Sequence, residues 1–369
     1  MTGFMRPTII RTIVMAKGFA VCLTLLCVLA PSGQPTKATA FANRVADLSE
    51  PEGAFDTDNL ISNERSYLHV VPALRNGGVK GGAYIGVGPD QNFSYIAQIR
   101  PTIAFIVDIR RDNLLLQLLF KALFAEAPTR IDYLMLLFGR APPATADGWK
   151  TASIERLAAY VSGSQPASDA DARRTRLDAT LAQSGVPLSR ADMSTIHRFH
   201  DRFIAAGLSL KFESHGRGPR SYYPTYGELL LEGDRDGHHW SYLAADDDYQ
   251  FVRGLEQRDL VIPVVGNLSG ASALVKIAEL LAERGEKLSA FYTSNVEFYL
   301  FGDGTFPRYF ENLRRLPHTR QSVIIRSMFD GYAFSAGPGY YSESFTQPID
   351  DLLERLRLGT IRGYRDLTR

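Results

Sequence analysis

Cysteine is nearly absent from this chain of 369 residues, which contains only Cys22 and Cys27. Both lie in the first forty residues, so a mature chain that begins near Phe41 has neither. Such a chain has no thiol nucleophile, no cysteine-ligated zinc ion and no structural disulfide. An excess of positive charge is absent too, because 41 lysines and arginines face 40 acidic residues. Without a basic field to neutralise phosphates, we expect no nucleic-acid partner.

Several catalytic sequence signatures are also missing. The chain has no Gly-x-Ser-x-Gly elbow, so an α/β-hydrolase would lack its nucleophile. Glycines and a lysine at residues 77–81 have the wrong spacing for a Walker phosphate loop. No His-Glu-x-x-His pattern occurs, and His238-His239, which follow Asp234 and Asp236, have no comparable ligand spacing. We therefore expect no metal site.

The amino-terminal forty residues have the layout of a secretory signal peptide. They contain no acid, and an apolar run of 12 residues, 19–30, follows the basic start. That run is too short to cross a bilayer, which takes about 20 residues. Ala38-Thr39-Ala40 is a small-x-small cleavage site. The segment predicts an exported, periplasmic or envelope-associated protein, and the alternatives are an uncleaved membrane anchor, a lipoprotein cleaved at Cys27 or a cytoplasmic protein with an apolar tail.

Beyond residue 60, strand and helix patterns alternate. Residues 83–90 form a buried strand that ends in a Gly/Pro/Asp turn, and residues 91–99 have helical spacing. A continuous apolar run at 103–108, typical of a strand covered on both faces, precedes another helix. Strand patterns return at 260–265 and 288–293, and two last strands are predicted at 322–326 and 331–335. This alternation predicts an α/β fold with a mostly parallel, doubly wound, Rossmann-like sheet.

The segment between the two α/β halves has a different pattern. It combines polar loops with amphipathic helices, one of which starts at the capping box Ser189-Arg190-Ala191-Asp192 and can end at Gly207. We interpret it as a mainly helical insertion or cap. The predicted organisation is a signal peptide at 1–40, a linker at 41–60, the first half of the Rossmann-like domain at 61–140, the insertion at 141–259 and the second half at 260–369.

A glycine turn and a carboxylate mark a candidate cofactor site. Gly86-x-Gly88 follows the first strand, and Asp108 ends the next one. A glycine turn lets a cofactor approach the backbone, while a carboxylate about 20 residues later can accept hydrogen bonds from ribose hydroxyls. The third glycine of the dinucleotide fingerprint is missing, which favours a nucleoside cofactor without a pyrophosphate over NAD or FAD.

Gly86-Val87-Gly88, Asp108, Asn267 and Asn295, all at predicted strand ends, resemble the class I S-adenosylmethionine-dependent methyltransferase fold. The runs GVGPDQNFSY at 86–95, DIRRDN at 108–113 and SNVE at 294–297 also resemble a bacterial family of uncharacterised conserved proteins. The chain departs from the methyltransferase pattern in having no acidic residue in the first strand and a bulky turn at 89–92.

The methyltransferase resemblance implies S-adenosylmethionine as the cofactor and a small molecule as the acceptor. The expected cofactor-binding residues are Gly86, Gly88, Asp90, Gln91, Asn92, Asp108 and Asn267. The expected catalytic residues facing the acceptor are Asn295, Glu297, Glu64 and Tyr67. Arg110 and Arg111 are candidates for clamping an anionic substrate.

Each of these residues also has a structural interpretation. The glycines can simply make a tight turn, Asp108 can pair with Arg110 or Arg111, and the asparagines can cap helices. Glu297 lies in an apolar run, where a buried carboxylate needs either a partner or a function. The alternative to a methyltransferase-like enzyme is an exported, non-enzymatic ligand-binding protein with the same fold. A third hypothesis is an exported transferase or hydrolase with Glu297 as its general base.

Overall fold

The computed structural model describes residues 37–145, 147–216, 220–331 and 336–368, and the predicted signal peptide up to residue 36 lies outside them. Within the described residues, six strands form one sheet. The strands are β1 (Ala83–Gly86), β2 (Ile103–Asp108), β3 (Val261–Val265), β4 (Leu288–Ser294), β5 (His318–Phe329) and β6 (Ser342–Pro348).

Fourteen α-helices accompany the sheet in the same described ranges. They are α1 (Lys37–Leu48), α2 (Val71–Asn76), α3 (Gln91–Ile99), α4 (Arg111–Glu126), α5 (Arg130–Leu137), α6 (Ile154–Gly163), α7 (Ala170–Gln183), α8 (Arg190–Ala206), α9 (Tyr226–Leu230), α10 (Asp246–Gln257), α11 (Ala273–Glu283), α12 (Val296–Gly302), α13 (Phe306–Arg315) and α14 (Ile349–Arg357). Short 3-10 helices cover Arg65–Val70, Gly207–Ser209 and Tyr364–Thr368.

The strand order, β3-β2-β1-β4-β5-β6, confirms the predicted doubly wound fold. The first five strands in this order, β3-β2-β1-β4-β5, are parallel to one another, and Ala83 of β1 lies opposite Ile103 of β2. The chain runs from β1 through β2 to β3 and then returns to β4 on the other side of β1. This reversal opens a crevice at the carboxyl ends of β1 and β4, the usual ligand position in α/β sheets.

Burial of the central strands explains their apolar composition. Every residue of β1 and β3 is buried, and in β2 only Asp108, at the carboxyl end, is partly exposed. Strands covered on both faces need apolar side chains pointing in both directions, so their sequence shows no alternation. The charged residue of β2, Asp108, therefore lies at the carboxyl end of its strand.

The predicted helical insertion contains helices α6 to α10, and the described residues between 141 and 259 include no strand of the sheet. Helices α7 and α8 pack on α4, which itself covers β2 and β3. The capping box at Ser189 is formed as predicted, and Gly207 follows the last residue of α8 with a φ of 56°. A second capping box, at Thr225 and Glu228, starts α9.

The predicted linker at 41–60 is wrong in its first part. Helix α1 runs through Leu48, and Phe41, Ala42, Val45 and Leu48 are buried. It packs against β3 and α11, with the polar residues between these positions on its outer side. The predicted cleavage site at residues 38–40 lies in the first turn of this helix.

The carboxyl-terminal strands also differ from the prediction. The strand expected at 322–326 is part of the longer β5, while the strand expected at 331–335 falls largely on residues outside the described ranges. The sheet instead ends with β6, which pairs antiparallel with β5 so that Phe329 lies opposite Ser342. This edge strand is mostly polar, although Ser342, Glu343, Ser344 and Gln347 are buried.

Candidate functional site

A cavity of about 440 Å³ opens at the carboxyl ends of β1 to β4. Gly88 follows β1, Asp108 ends β2, Asn267 follows β3 and Asn295 follows β4, and all four line the cavity. Parallel strands place their carboxyl ends along one edge, so residues separated by more than 200 positions meet here. We call this space the switch-point cavity, and its volume falls in the range of small-molecule sites.

The turn after β1 is held by a buried asparagine. Asn92 donates from Nδ2 to the carbonyl oxygens of Val87 (2.9 Å) and Pro89 (2.8 Å), and its Oδ1 accepts from the Tyr84 hydroxyl at 2.8 Å. A Cβ at Gly86 would lie 1.9 Å from that Oδ1, so Gly86 makes room for Asn92 rather than for a ligand. Neither Gly86 nor Asn92 lines the cavity.

The residues of this turn that line the cavity are Val87, Gly88, Pro89 and Gln91. Gly88 has a φ of 86°, a conformation that favours glycine. The Gln91 amide donates from Nε2 to the Tyr292 hydroxyl at 3.2 Å. Its Oε1 is buried and has no partner among the described residues. A buried acceptor without a donor is costly, so a ligand donor at this oxygen would be stabilising.

Asp90 points away from the cavity. Its carboxylate accepts hydrogen bonds from the hydroxyls of Tyr226 (3.0 Å) and Tyr242 (3.4 Å). Burial raises the pKa of Asp90 to about 6, although both hydrogen bonds act to lower it. This carboxyl links the glycine turn to the helical insertion and is not a residue of the cavity lining.

Asp108 lines the cavity but already has a charged partner. Arg110 donates to it from Nε at 3.0 Å and from Nη2 at 2.8 Å, and the Arg110 backbone N–H donates at 3.0 Å. Arg111 pairs with Asp192 at the start of α8, at 2.8 Å from Nε to Oδ1. Both arginines are therefore committed to carboxylates, and the structure does not assemble the expected anion clamp.

Glu64 lies beneath the cavity at only 1% exposure. Its Oε2 accepts a hydrogen bond from the Tyr292 hydroxyl at 2.5 Å, and its Oε1 accepts one from the Ser294 hydroxyl. Burial raises the pKa of Glu64 to about 7, although the hydroxyls of Ser294 and Tyr292 act to lower it. Ser294 lines the cavity, so its hydroxyl connects the buried carboxyl to the space above.

The backbone at this point is also unusual. Ser294 has a φ of 53°, a left-handed conformation that is strained for a residue with a side chain. Strained residues are concentrated at functional sites. Here the strained turn at the end of β4 directs the Ser294 hydroxyl to the carboxylate of Glu64.

Two of the expected catalytic residues lie elsewhere. Glu297 forms a buried ion pair with Arg326, with contacts of 2.6 and 3.0 Å, and it does not line the cavity. The Tyr67 hydroxyl donates to the carbonyl oxygen of Leu229 at 3.1 Å, also outside the lining. Burial raises the pKa of Tyr67 above its usual value. The structure thus gives both residues a structural role.

The two asparagines at strand ends differ. Oδ1 of Asn267 accepts hydrogen bonds from the backbone N–H and the hydroxyl of Ser269, both at 2.9 Å, and so shapes the turn after β3. Asn295 occupies the N-cap position of α12, but its side chain makes no capping hydrogen bond. Asn295 is therefore available to a molecule in the cavity.

Aromatic residues that the sequence analysis did not single out form much of the wall. Those in the lining are Phe55, Phe212, Tyr222, Tyr223, Phe298, Tyr299, Phe329 and Tyr341. Adjacent aromatic pairs, such as those at 222–223 and 298–299, are visible in the sequence. Nothing in the local sequence indicates that they share one cavity.

Asp234, Asp236 and His238 lie close enough to hold a metal ion, with potential ligand atoms within 4.8 Å of one another. The Asp234 carboxylate is already engaged. It accepts hydrogen bonds from the Trp240 indole N–H (2.7 Å) and from the backbone N–H groups of Asp236 and His238 (2.9 Å each). This group is explained as the framework of a loop.

The family described as Domain of unknown function (DUF7790) matches residues 60–147 and 220–367, more than half of the chain. The chain therefore belongs to this family. The unmatched stretch between the two segments carries α6, α7 and α8 of the helical insertion. No curated protein matches the sequence. Among the helices in the described ranges, none has the length and apolar character needed to span a membrane.

Proposed function

We propose that this DUF7790 protein binds S-adenosylmethionine in the switch-point cavity and acts as a methyltransferase on a small molecule. One observation carries the proposal: a glycine turn with positive φ and the carboxylate that ends the next strand line the same cavity, at the reversal of strand order. Doubly wound sheets bind nucleoside cofactors at this position.

The residues present fit such a cofactor. Gly88 offers backbone without a side chain, and the partnerless Oε1 of Gln91 offers an acceptor beside it. Each carboxylate oxygen can accept two hydrogen bonds; Oδ1 of Asp108 accepts two from Arg110 and Oδ2 accepts one, so one acceptor position remains on Oδ2 for a ribose hydroxyl. Asn267 completes this side of the cavity.

S-adenosylmethionine supplies, when bound, a methyl group on a positively charged sulfur. The work of the chain is to position an acceptor, exclude water and hold a proton. Asn295 is free to orient the acceptor. Ser294 and Glu64 provide a path from the cavity to a carboxyl whose pKa, about 7, suits it to exchange a proton at neutral pH.

Calorimetric titration of the full-length protein with S-adenosylmethionine tests this proposal. We expect measurable heat and saturation below millimolar ligand. The variant Asp108→Asn should bind at least tenfold more weakly, because hydrogen bonds to a charged acceptor contribute about 1.5–3 kcal/mol each.

The matched control is Asp192→Asn. It removes the carboxylate from Arg111 just as Asp108→Asn removes it from Arg110, but Asp192 lies outside the cavity lining. We expect its affinity for S-adenosylmethionine to equal that of the wild type. An absence of heat and of thermal shift at millimolar ligand would refute the proposal, whereas binding without methyl transfer would favour the non-enzymatic ligand-binding protein.

A further inference from the structure

The eight aromatic residues of the cavity wall form an unbroken chain of ring contacts, which we call the aromatic arc. Centroid distances between successive rings range from 3.8 to 5.9 Å. The order along the arc is Phe55, Tyr299, Phe298, Phe329, Tyr341, Tyr222, Tyr223 and Phe212.

Half of the arc lies on the β4 to β6 side of the cavity. Phe298 and Tyr299 belong to α12, which follows β4, while Phe329 ends β5 and Tyr341 precedes β6. The polar residues Asp108 and Asn267 come from β2 and the turn after β3, on the other side of β1. These polar residues at strand ends, which suit a nucleoside and which we call the cofactor half, therefore lie across β1 from those four rings.

The rings of the arc are not all used for packing the interior. Tyr341 is 39% exposed and Phe55 is 37% exposed, although both are large apolar groups. Tyr341 and Tyr222 stack nearly parallel, with an interplanar angle of 13°, and both line the cavity. Exposed aromatic surface that lines a cavity is typical of a ligand site.

The composition of the cavity selects the chemistry of that ligand. Among the described residues, the lining holds three aspartates, Asp56, Asp108 and Asp303, against one arginine, Arg220, so the cavity does not favour an anion. Aromatic rings attract other rings in offset or edge-to-face contacts. At the base of the cavity, Ser294 and Asn295 offer a hydroxyl and an amide, which pair well with a neutral hydroxyl group.

We propose that the aromatic arc binds a neutral, planar aromatic molecule that carries a hydroxyl group, of the phenol or naphthol class, as a second ligand beside the cofactor half. The inference concerns binding alone and does not depend on methyl transfer.

Fluorescence titration with 2-naphthol tests the inference, and trans-2-decalol, its saturated counterpart, serves as the competitor. We expect 2-naphthol to bind below millimolar concentration and decalol to displace it poorly. Tyr341→Ala should weaken 2-naphthol binding about tenfold, equivalent to about 1.4 kcal/mol, while Tyr341→Phe should retain it. Because Tyr341 is substantially exposed, its truncation is compatible with folding.

Phe251→Ala is the matched control, because this partly buried ring of α10 packs against the guanidinium of Arg100, outside the cavity lining. It should leave the affinity for 2-naphthol unchanged. Tyr341→Ala should retain calorimetric binding of S-adenosylmethionine, and Asp108→Asn should retain 2-naphthol. Binding of 2-naphthol without any heat from S-adenosylmethionine would support the aromatic site and refute the proposed methyltransferase.

Three results would overturn the inference. One is the absence of 2-naphthol binding at millimolar concentration. Another is equal affinity of the wild type and Tyr341→Ala for 2-naphthol. The third is an affinity of decalol, measured by displacement of 2-naphthol, that equals the affinity of 2-naphthol itself, which would reduce the arc to a merely apolar surface.

Discussion

Two buried glutamates, both candidates for catalysis in the sequence, have opposite environments. Glu297 is fully buried and shares two hydrogen bonds with the guanidinium of Arg326. Glu64 is equally buried, but its carboxylate accepts hydrogen bonds from the hydroxyls of Tyr292 and Ser294. Burial alone thus does not identify a functional carboxyl. The difference is whether a cation compensates the charge.

The consequence for Glu64 is a readily exchanged proton. A buried carboxylate without a cation is costly, so burial raises the pKa of Glu64 to about 7. The carboxyl lies beneath the cavity, and Ser294 connects it to the lining. The ion pair of Glu297, by contrast, ties α12 to β5 and the neighbouring β6 through Arg326, which also bonds Gln347.

The largest effect should come from breaking the ion pair. Arg326→Met leaves the Glu297 carboxylate buried without its partner and should lower the free energy of unfolding by about 3–5 kcal/mol. Urea denaturation at pH 7 measures this loss. The double variant Glu297→Leu/Arg326→Met removes both charges and should recover most of it. A loss below about 1 kcal/mol for Arg326→Met would show that the two glutamates do not differ in this way.

A second prediction concerns pH. The pKa of Glu64 is higher in the folded state, about 7, than its ordinary value of 4.5, so the folded protein binds this proton more tightly. The resulting stabilisation is fully present below pH 4.5 and is lost as pH rises to about 7, a change of about 3 kcal/mol.

Glu64→Gln should remove this contribution to the pH profile. Urea unfolding of the wild type and of Glu64→Gln from pH 4.5 to 8 gives the measurement. The free energy of unfolding of the wild type, relative to that of Glu64→Gln, should fall steadily over this range. Glu354→Gln, at an exposed carboxyl, is the control and should leave the profile unchanged. Parallel profiles for the wild type and Glu64→Gln would contradict the assignment.

The smallest effect should come from the strained turn at Ser294. Ser294→Gly and Ser294→Ala both remove the hydroxyl from Glu64, but only glycine relieves the left-handed backbone. The glycine variant should therefore be more stable than the alanine variant by about 1 kcal/mol. Thermal or urea denaturation of the two variants side by side checks it, and equal stability would argue against strain at this position.

The fold was largely predictable because its signals are local. Helix α3 and strand β2 have the predicted bounds, 91–99 and 103–108, since each is bracketed by a turn or a proline and has a clear apolar pattern. The longer β5 and the edge strand β6 were not predicted correctly. The polar sequence of an edge strand resembles that of a loop, so the strand is recognised only when its pairing partner is known.

The site was predictable only in outline. The predicted strand ends place four residues at one edge of the sheet, because the carboxyl ends of parallel strands share that edge. The structure has all four in the lining of one cavity: Gly88, Asp108, Asn267 and Asn295. The choice between a functional and a structural carboxyl depends on partners far along the chain, such as Arg326 for Glu297 and Tyr292 for Glu64. No local pattern encodes those pairs. The predicted export of the protein stays a prediction, because the basic and apolar parts of its signal lie outside the described residues.

The most direct test of the account is a crystal structure of the protein grown with S-adenosylhomocysteine, the demethylated form of the proposed cofactor. The account predicts nucleoside density in the switch-point cavity beside Gly88 and Asp108, with the aromatic arc left open on the other side. Density at another place on the molecule, or a cavity that stays empty at millimolar ligand, would contradict it.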